Sequence, residues 1–280
     1  MLRVAVFLFL LQEYNCYLVS PLNVSRDVNI STRLPANIGE RPEVFDWRDT
    51  YMVSPIKNQM TCGACWAFSI VAAIESHLKI HNSVEIRLSE QFLIDCEDAS
   101  KGCNPASLLE VYADIVNKFG GVLSDRDYYP YAEQRRECRW VRPTSGQNFG
   151  AAMLSSMINA RADVLPVVGF RRVQIMNEES MAEHIYRDGP LSAAINSASM
   201  KMYKGGIDEP TDEDCDPKKL DHAVLIVGYN AYESKSGKRT PYWIIKNSWG
   251  PNFGDSGFYY LVRGRNACGI ASDVSFPYVN

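Results

Sequence analysis

The sequence has few of the features that mark nucleic-acid-binding, fibrous or membrane proteins. Its 280 residues carry a formal net charge of only −4, which gives no reason to expect nucleic acid or an acidic membrane surface as a partner. It contains no internal repeat and no low-complexity tract, so solenoid and fibrous architectures are not indicated. With 46% hydrophobic and 22% charged residues, the chain can bury a sizeable core in one large domain or two modest ones.

Long apolar runs are lacking too, and the run at the N-terminus is short. Residues 4–11 follow the basic Arg3 and are ended by Gln12, so this run cannot cross a bilayer. A basic head and a compact apolar run are typical of a secretory signal peptide, with a buried N-terminal segment as the alternative. We expect residues 1–20 to be the signal, cleaved between Cys16 and Ser20. The mature protein would then be secreted, or reach a lysosome-like compartment, without a membrane anchor.

Close pairs of cysteines are scarce, since the eight cysteines include a single C-x-x-C, formed by Cys62 and Cys65. A structural zinc site of the paired-cysteine type needs a second such pair, so the sequence predicts no metal site. A thioredoxin-like redox pair needs a preceding strand, and the polar residues 58–61 do not predict one. In the third interpretation Cys65 is a nucleophile, which requires a histidine and an orienting Asn or Asp far downstream.

The residues after Cys65 predict a helix that presents this thiol. Residues 66–79 carry apolar side chains over most of a helical surface, which is typical of a largely buried helix with a narrow polar face. At a helix N-terminus, unpaired N–H groups and the positive end of the macrodipole favour an anion. A cysteine placed there loses its proton more easily, and the thiolate is its reactive form.

Histidine is rare as well, yet one of the four histidines stands where a nucleophile requires it. His222 opens the apolar, β-branched run 223–229, and Asn247 closes the run 242–246. The motifs around Cys65, His222 and Asn247, in this order, resemble those of the papain-family cysteine proteases. They are nearest to the cathepsin L-like branch, which includes viral cathepsin and cathepsin O. The resemblance covers residues 42–280.

The resemblance implies an α+β fold with two lobes, a helical left domain and a β-barrel-like right domain, and an active-site cleft between them. The sequence pattern agrees, because helical stretches at 88–96 and 106–119 precede β-rich runs that begin near residue 169. We expect residues 41–168 to form the lobe with the catalytic cysteine. Residues 169–280 would form the lobe with the histidine and the asparagine.

Chemical roles follow from the same resemblance. Cys65 would attack a peptide carbonyl and form an acyl-enzyme, and His222 would accept the thiol proton to give a thiolate–imidazolium pair. Asn247 would orient the imidazole, and Trp249 would shield that hydrogen bond from water. The amide of Gln59, with the backbone N–H of Cys65, would form the oxyanion hole. This implies a thiol endopeptidase without metal or organic cofactor, acting as a monomer on polypeptides and open to cystatin-type inhibitors.

Specificity is expected to reside in the pocket for the second residue before the scissile bond. The resemblance places Asp273 at its floor, and its walls would be apolar, formed by Leu108, Ala194, Leu220 and Ala223. Ala106 would stand where substrate backbone passes and where the family commonly has glycine. Such a pocket predicts apolar residues as the first preference and Arg or Lys as the second. In the alternative, Asp273 is an ordinary surface carboxylate.

Disulfides are expected because export leads to an oxidising compartment. Six cysteines remain when Cys16 and the nucleophile Cys65 are set aside, and residues alone allow any of their pairings. The resemblance selects Cys62–Cys103, Cys96–Cys138 and Cys215–Cys268.

Two lengths depart from the family pattern. His222 lies 157 residues after Cys65, against about 130–150 expected, which predicts insertions at 143–165 and 230–240. The first insertion can form a short surface helix without a catalytic role. Residues 21–40, with glycosylation sequons at 23–25 and 29–31, form a short prosegment, too short for the helical prosegment of cathepsin L-like zymogens.

Two rival functions deserve comparison. An exopeptidase of the cathepsin B type carries adjacent histidines in an extra loop, and the sequence has none, which favours an endopeptidase. A protease-shaped protein without activity could serve as a binding or matrix module. Such proteins usually lose the cysteine or the histidine, whereas this chain keeps both.

Overall fold

The computed structural model describes residues 16–17, 40–98, 100, 102–140, 164–175 and 177–279. The signal peptide apart from 16–17, both sequons and most of the 143–165 insertion lie outside these residues. The polar segment 230–240 lies inside them, and it extends the hairpin between two long strands (His222–Glu233 and Arg239–Lys246).

The helical part contains the three helices that the sequence predicts. α1 (Cys65–Asn82) begins at the cysteine itself, and its side chains are buried from Cys65 to Leu78. α2 (Glu90–Cys96) is capped by Ser89, whose hydroxyl accepts the Phe92 N–H at 3.1 Å. α3 (Leu108–Asp114) continues into a π-helical turn that ends at Gly120, where φ is +78° and glycine avoids a Cβ clash. Among the described helices, none combines the length and apolarity needed to span a membrane.

One antiparallel sheet dominates the rest of the molecule. Its strands pair in the order β2-β3-β8-β4-β5-β6-β7, and β1 pairs with β5 outside this path. The strands are β1 (Phe45–Asp46), β2 (Gly121–Val122), β3 (Leu165–Arg172), β4 (Leu191–Ile195), β5 (His222–Glu233), β6 (Arg239–Lys246), β7 (Phe258–Val262) and β8 (Val274–Val279). α4 (Glu178–Arg187) lies between β3 and β4 in the chain, and short 3₁₀ turns lie at Ser199–Met202 and Ala267–Gly269.

The long strands lie where the sequence pattern places them, but three strands are additional. β1 and β2 have two residues each, too few to show an alternating pattern. β8 contains Pro277, and a proline in a sequence argues against predicting a strand there. In the structure Pro277 nevertheless pairs with Phe170 of β3. β3 begins at Leu165, so the expected lobe boundary near 168 falls within a strand.

Three apolar clusters fill the described part of the molecule, and the smallest joins Ala72 and Ala73 of α1 to Leu225 and Val227 of β5 and Ile244 of β6. Of the two larger clusters, one surrounds α1, α2 and α3, and the other fills the sheet around Trp243, Tyr229 and Phe276. Ser69, in the first turns of α1, donates a 2.8 Å hydrogen bond to the carbonyl of Val224 in β5. This contact sets the N-terminus of α1 beside the first residue of β5, which is His222.

A partly buried lysine holds the loop that leads to Cys65. Lys57 Nζ lies 2.8 Å from Glu75 of α1 and 2.7 Å from Glu90 of α2. Its backbone carbonyl accepts the N–H of Gly250 at 3.1 Å. Buried charges persist only when they are paired. Lys57 therefore joins both helices to the turn that carries Trp249.

Candidate active site

Cys65 is the first residue of α1, and the helix start is open to a ligand charge. Ala64 occupies the N-cap position and provides no side-chain hydrogen bond, so the first N–H groups of the helix are not capped by a side chain. No acidic residue lies in the first turn. The field at this end therefore favours a negative charge on the sulfur.

His222 and Asn247 are brought together by neighbouring strands. His222 opens β5 and Asn247 follows β6, and these strands pair in antiparallel register. His222 Nε2 lies 2.8 Å from Asn247 Oδ1, and both residues are buried. Because an amide oxygen only accepts, Nε2 carries the proton and donates it. The other ring nitrogen, Nδ1, is therefore free to accept a proton on the side that faces the sulfurs.

The environment of the imidazole favours its neutral form. Burial lowers the pKa of His222, while the Asn247 hydrogen bond and the nearby Asp221 raise it by less. The indole of Trp249 lies against the imidazole, with ring centroids 4.9 Å apart. A neutral histidine is the form that can act as a base.

Gln59 is held by hydrogen bonds to Cys62 and Ser248. Its amide Nε2 donates to the carbonyl of Cys62 at 3.0 Å, and its Oε1 accepts the hydroxyl of Ser248 at 2.7 Å. Its backbone N–H donates to the carbonyl of Ser248 at 2.8 Å. An amide has two hydrogens on Nε2, so the second remains for an oxyanion. Ser248 was not predicted as a site residue, although it follows Asn247 directly in the sequence.

Cys65 is bonded to Cys16, which corrects the expectation that neither forms a disulfide. Cys16 is held in place by its backbone N–H, which donates to the carbonyl of Asp221 at 2.9 Å. That contact brings the two sulfurs together, and Cys16 Sγ lies 3.5 Å from His222 Nδ1. The ligand atoms of Cys16, Cys65 and His222 lie within 4.8 Å of one another. Since the two sulfurs share a bond, they are not thiolates and do not form a metal site.

The structure also contains the disulfides Cys62–Cys103, Cys96–Cys138 and Cys215–Cys268, the pairs that the family resemblance implied. Cys62 and Cys65 are therefore bonded to different partners. This excludes the redox pair within the C-x-x-C, because neither sulfur bonds to the other. The Cys62–Cys103 bond instead ties the loop before α1 to the loop before α3.

Asp273 is a buried carboxylate with two polar neighbours. It is 2% exposed, so the surface-carboxylate alternative is wrong. The hydroxyl of Tyr17 donates to Asp273 Oδ2, and Arg172 Nε lies 3.5 Å from Oδ1. Burial raises the pKa of Asp273, and the Tyr17 hydrogen bond and the Arg172 charge oppose that rise. The net effect is a pKa of Asp273 above its ordinary value.

The side chains expected to form the pocket walls belong to the same large apolar cluster as Tyr17. Leu108, Ala194 and Ala223 are buried in the same apolar cluster as Tyr17, and Leu220 packs against that cluster. Ala106 forms a parallel β-bridge with Tyr17. Arg172 and Tyr17 were missed in the sequence, since Arg172 has no motif around it and Tyr17 lies within the expected signal peptide.

Known proteins share both the sequence and the fold. The chain is 36% identical over 239 residues to cathepsin F of Drosophila melanogaster, across 85% of this chain and 36% of that protein. The solved procathepsin L2 of Tenebrio molitor is 32% identical, with a TM-score of 0.72 over 86% of this chain and 70% of that one. Bromelain from Ananas comosus, solved with the E64 inhibitor, is 32% identical, with a TM-score of 0.68 over 85% of this chain and all of bromelain.

The similarity extends through both lobes. The chain spans between 36% and 66% of the length of three curated relatives that it matches. Residues 41–278 match the family described as papain family cysteine protease, which includes the segments of Cys65, His222 and Asn247. The two-lobed α+β fold that the sequence predicts is confirmed by the solved relatives. With the cysteine at the start of α1 facing a histidine on β5, the chain belongs to the papain family of cysteine proteases.

Proposed function

We propose that this protein is a cysteine endopeptidase that hydrolyses peptide bonds through an acyl-enzyme. One observation carries the proposal: a cysteine at a helix N-terminus lies beside a histidine whose far nitrogen is fixed by Asn247 at 2.8 Å. Such an arrangement meets the requirement for a nucleophile with an adjacent, oriented base. Polypeptides are the proposed substrates, and cystatin-type proteins are proposed inhibitors.

The chemical sequence begins once Cys65 is a free thiol. His222 Nδ1 takes its proton, and the thiolate attacks the carbonyl carbon of the substrate. Gln59 and the Cys65 N–H stabilise the oxyanion, and a donor of this kind is worth about 3 kcal/mol of the barrier. The imidazolium then protonates the leaving amine, and water releases the acyl group. Asn247 holds the ring in one orientation throughout.

An inactive binding protein is the rival function, and the Cys16–Cys65 bond favours it in the oxidised state. A cysteine in a disulfide has no thiolate and cannot attack a carbonyl. However, His222 lies beside the sulfur and is hydrogen-bonded to Asn247, and Gln59 is hydrogen-bonded in the loop before α1. The two functions differ in one respect, which is whether reduced Cys65 reacts as a nucleophile.

Active-site labelling distinguishes them. We expect E64 to modify the reduced protein at one site, Cys65, as seen by intact mass and peptide mapping. The matched control is Cys65→Ser, which should remain unlabelled under the same reducing conditions. If E64 fails to modify reduced wild-type protein that keeps its thermal unfolding transition, the endopeptidase proposal is wrong.

We further propose that the Asp273 pocket prefers apolar side chains and accepts Arg or Lys second. The proposed walls are apolar. The acid at the base, Asp273, accepts a hydrogen bond from the hydroxyl of Tyr17. A long basic side chain could lay its methylene stem along the walls and place its charge near the carboxylate. Arg172 lies on the other side of that carboxylate and weakens the preference for a second cation.

Asp273→Ala tests this preference with paired Leu-Arg and Arg-Arg peptide substrates. We expect kcat/KM for the Arg-Arg peptide to fall about tenfold relative to the Leu-Arg peptide, as loss of one charged hydrogen bond would produce. The exposed Asp212→Ala serves as the control. In wild type, the Arg-Arg rate should also fall selectively on acidification. The fall should begin above the usual range of an aspartate, because burial raises the pKa of Asp273. A substrate ratio that Asp273→Ala leaves unchanged would remove Asp273 from the pocket.

The proposed location is the secretory pathway, ending outside the cell or in a lysosome-like compartment. Three disulfides away from the nucleophile suit an oxidising route. The prosegment at 21–40 and glycosylation at its sequons remain proposals. A signal peptide that extends to residue 20 would remove Cys16, so the Cys16–Cys65 bond argues for cleavage before Cys16.

A further inference from the structure

We propose that Cys16 and Tyr17, together called the latch segment, lock the nucleophile in a disulfide that a thiol reductant opens. The proposal rests on the proposed peptidase function, because it describes how that activity is withheld. The Cys16–Cys65 bond blocks the only sulfur at the start of α1. The protein would therefore be inactive after oxidative folding and active after reduction.

The latch segment contacts both walls of the cleft. Cys16 N–H donates to the carbonyl of Asp221, which precedes β5, at 2.9 Å. Tyr17 forms its β-bridge with Ala106, which precedes α3 in the helical lobe. Both latch residues are buried, at 0% and 1% exposure. The segment therefore makes specific backbone contacts with the protein in addition to its disulfide bond. A cysteine on an otherwise unbound segment would be attached by the disulfide bond alone.

Tyr17 anchors the segment in the specificity pocket. Its ring packs with the apolar walls and its hydroxyl donates to Asp273. A carboxylate acceptor makes this a charge-assisted hydrogen bond, which is stronger than a neutral one. Burial, followed by the Asp273 charge, raises the pKa of Tyr17 well above its ordinary value, so the hydroxyl keeps its proton. The latch is thus held at two points, the sulfur and the pocket.

The direction of the segment explains why it is not a substrate. A substrate places the second residue before its scissile bond in this pocket, so its chain runs from the pocket toward Cys65. The latch segment runs the opposite way, because Cys16 at the nucleophile precedes Tyr17 in the pocket. Its backbone therefore does not present a peptide bond in the order that cleavage requires.

Opening the latch is a two-electron thiol–disulfide exchange. A low-molecular-weight thiol, as its thiolate, attacks Cys16 Sγ, the Cys16–Cys65 bond breaks, and Cys65 leaves as a thiolate. The proton released by the first thiol passes to His222 Nδ1. A second thiolate attacks the mixed disulfide on Cys16, its proton goes to the Cys16 sulfur, and the two reductant sulfurs end as one disulfide. The protein gains two electrons and the two small thiols lose two.

The site favours Cys65 as the leaving sulfur. A thiol of lower pKa leaves faster, and Cys65 lies at the uncapped start of α1. His222 is neutral before reduction, because burial lowers its pKa, and it can take up the proton. Reduction therefore produces the thiolate–imidazolium pair directly. The exchange that removes the latch also prepares the nucleophile.

This mechanism withholds activity through the Cys16–Cys65 bond itself. Disulfides form in an oxidising secretory compartment and open where thiols are supplied. It also limits the position of signal cleavage, which must fall before Cys16 for the latch to remain. Such a cleavage site lies before the expected window between Cys16 and Ser20, so the latch revises that expectation.

The test uses the full chain produced through a secretory pathway and purified without reductant. Peptide mapping under non-reducing conditions should recover a Cys16–Cys65 cross-linked peptide, and iodoacetamide should leave Cys65 unmodified. Hydrolysis of a Leu-Arg peptide should rise at least about fiftyfold with added glutathione, because the bonded protein has no thiolate. Cys16→Ser should be active without glutathione. Tyr17→Phe should reach half-activation at about fivefold less glutathione, since it loses the pocket hydrogen bond.

The outcomes separate the latch from the peptidase proposal. A mature chain that starts after Cys16, a missing cross-link, or iodoacetamide labelling of Cys65 in unreduced wild type would each overturn the latch. If the cross-link is present but neither reduced wild type nor Cys16→Ser hydrolyses peptides, the latch is supported and the endopeptidase proposal fails. If Cys16→Ser does not fold, the latch is tested on wild type alone. It is then supported by a Cys16–Cys65 cross-linked peptide together with activation by glutathione, and contradicted if either is missing.

Discussion

Cys65→Ser is expected to reduce peptide hydrolysis, measured in the presence of glutathione, by at least about 10³-fold. A serine hydroxyl at this position is far less acidic than the thiol, so the neutral His222 cannot convert it into a comparable nucleophile. The fold should persist, because serine is well tolerated at the start of a helix. Steady-state kinetics with the Leu-Arg peptide measure the loss.

Cys16→Ser is the matched control for this variant. Each substitution removes the same disulfide, which closes a loop of 49 residues, so each should lose a similar unfolding free energy of about 2–4 kcal/mol. Only Cys65→Ser also removes the nucleophile. Equal unfolding midpoints together with unequal activity would isolate the chemical role of the sulfur. Turnover by Cys65→Ser near the wild-type rate would sink the assignment.

Much of the fold could be predicted because its signals are local. The helix from Cys65 is buried along nearly its whole length, as its continuous apolar surface predicts. The Ser89 cap and the turn at Gly120 are chemical features of single residues. Papain-family membership followed from motifs, and the similarity to known proteins confirms it.

The remaining features depend on contacts between distant parts of the chain. β8 is stabilised by pairing with β3 and β4, which outweighs the strand-breaking tendency of Pro277. Lys57 pairs with Glu75 and Glu90, which lie 18 and 33 positions away in the sequence. Such long separations leave no helical or strand pattern from which the pairs could be predicted. Cys16 pairs with Cys65 because of its contact with Asp221, and nothing near Cys16 in the sequence indicates that neighbour.

The surroundings of Asp273 also depend on residues that are distant in the sequence. Family resemblance could indicate Asp273, but not the two groups that set its charge. Arg172 is the last residue of β3, and Tyr17 lies near the N-terminus, whereas Asp273 lies near the C-terminus. Together they decide how a substrate cation would be received. Under the proposed latch, substrate specificity would therefore depend on whether Tyr17 stays hydrogen-bonded to Asp273.

His222→Ala is expected to abolish activity almost as fully as Cys65→Ser, by about 10³-fold or more, because proton transfer is lost. Asn247→Ala should cost less, about 10- to 100-fold, since Asn247 orients the ring without touching the substrate. The partly exposed Asn230→Ala, on the same strand as His222, is the control for a general effect of removing an amide.

The pH profile gives Asn247 a signature that a purely structural role would lack. The Asn247 hydrogen bond raises the pKa of His222 against the lowering effect of burial. Its removal should therefore lower the folded-state pKa of the imidazolium. In the thiolate–imidazolium pair, the alkaline limb of kcat/KM marks loss of the imidazolium proton, so Asn247→Ala should move that limb to lower pH. Profiles recorded with glutathione for wild type, Asn247→Ala and Asn230→Ala provide the measurement. An unmoved alkaline limb, or a loss equal to that of His222→Ala, would show that Asn247 does not act by orienting the imidazole.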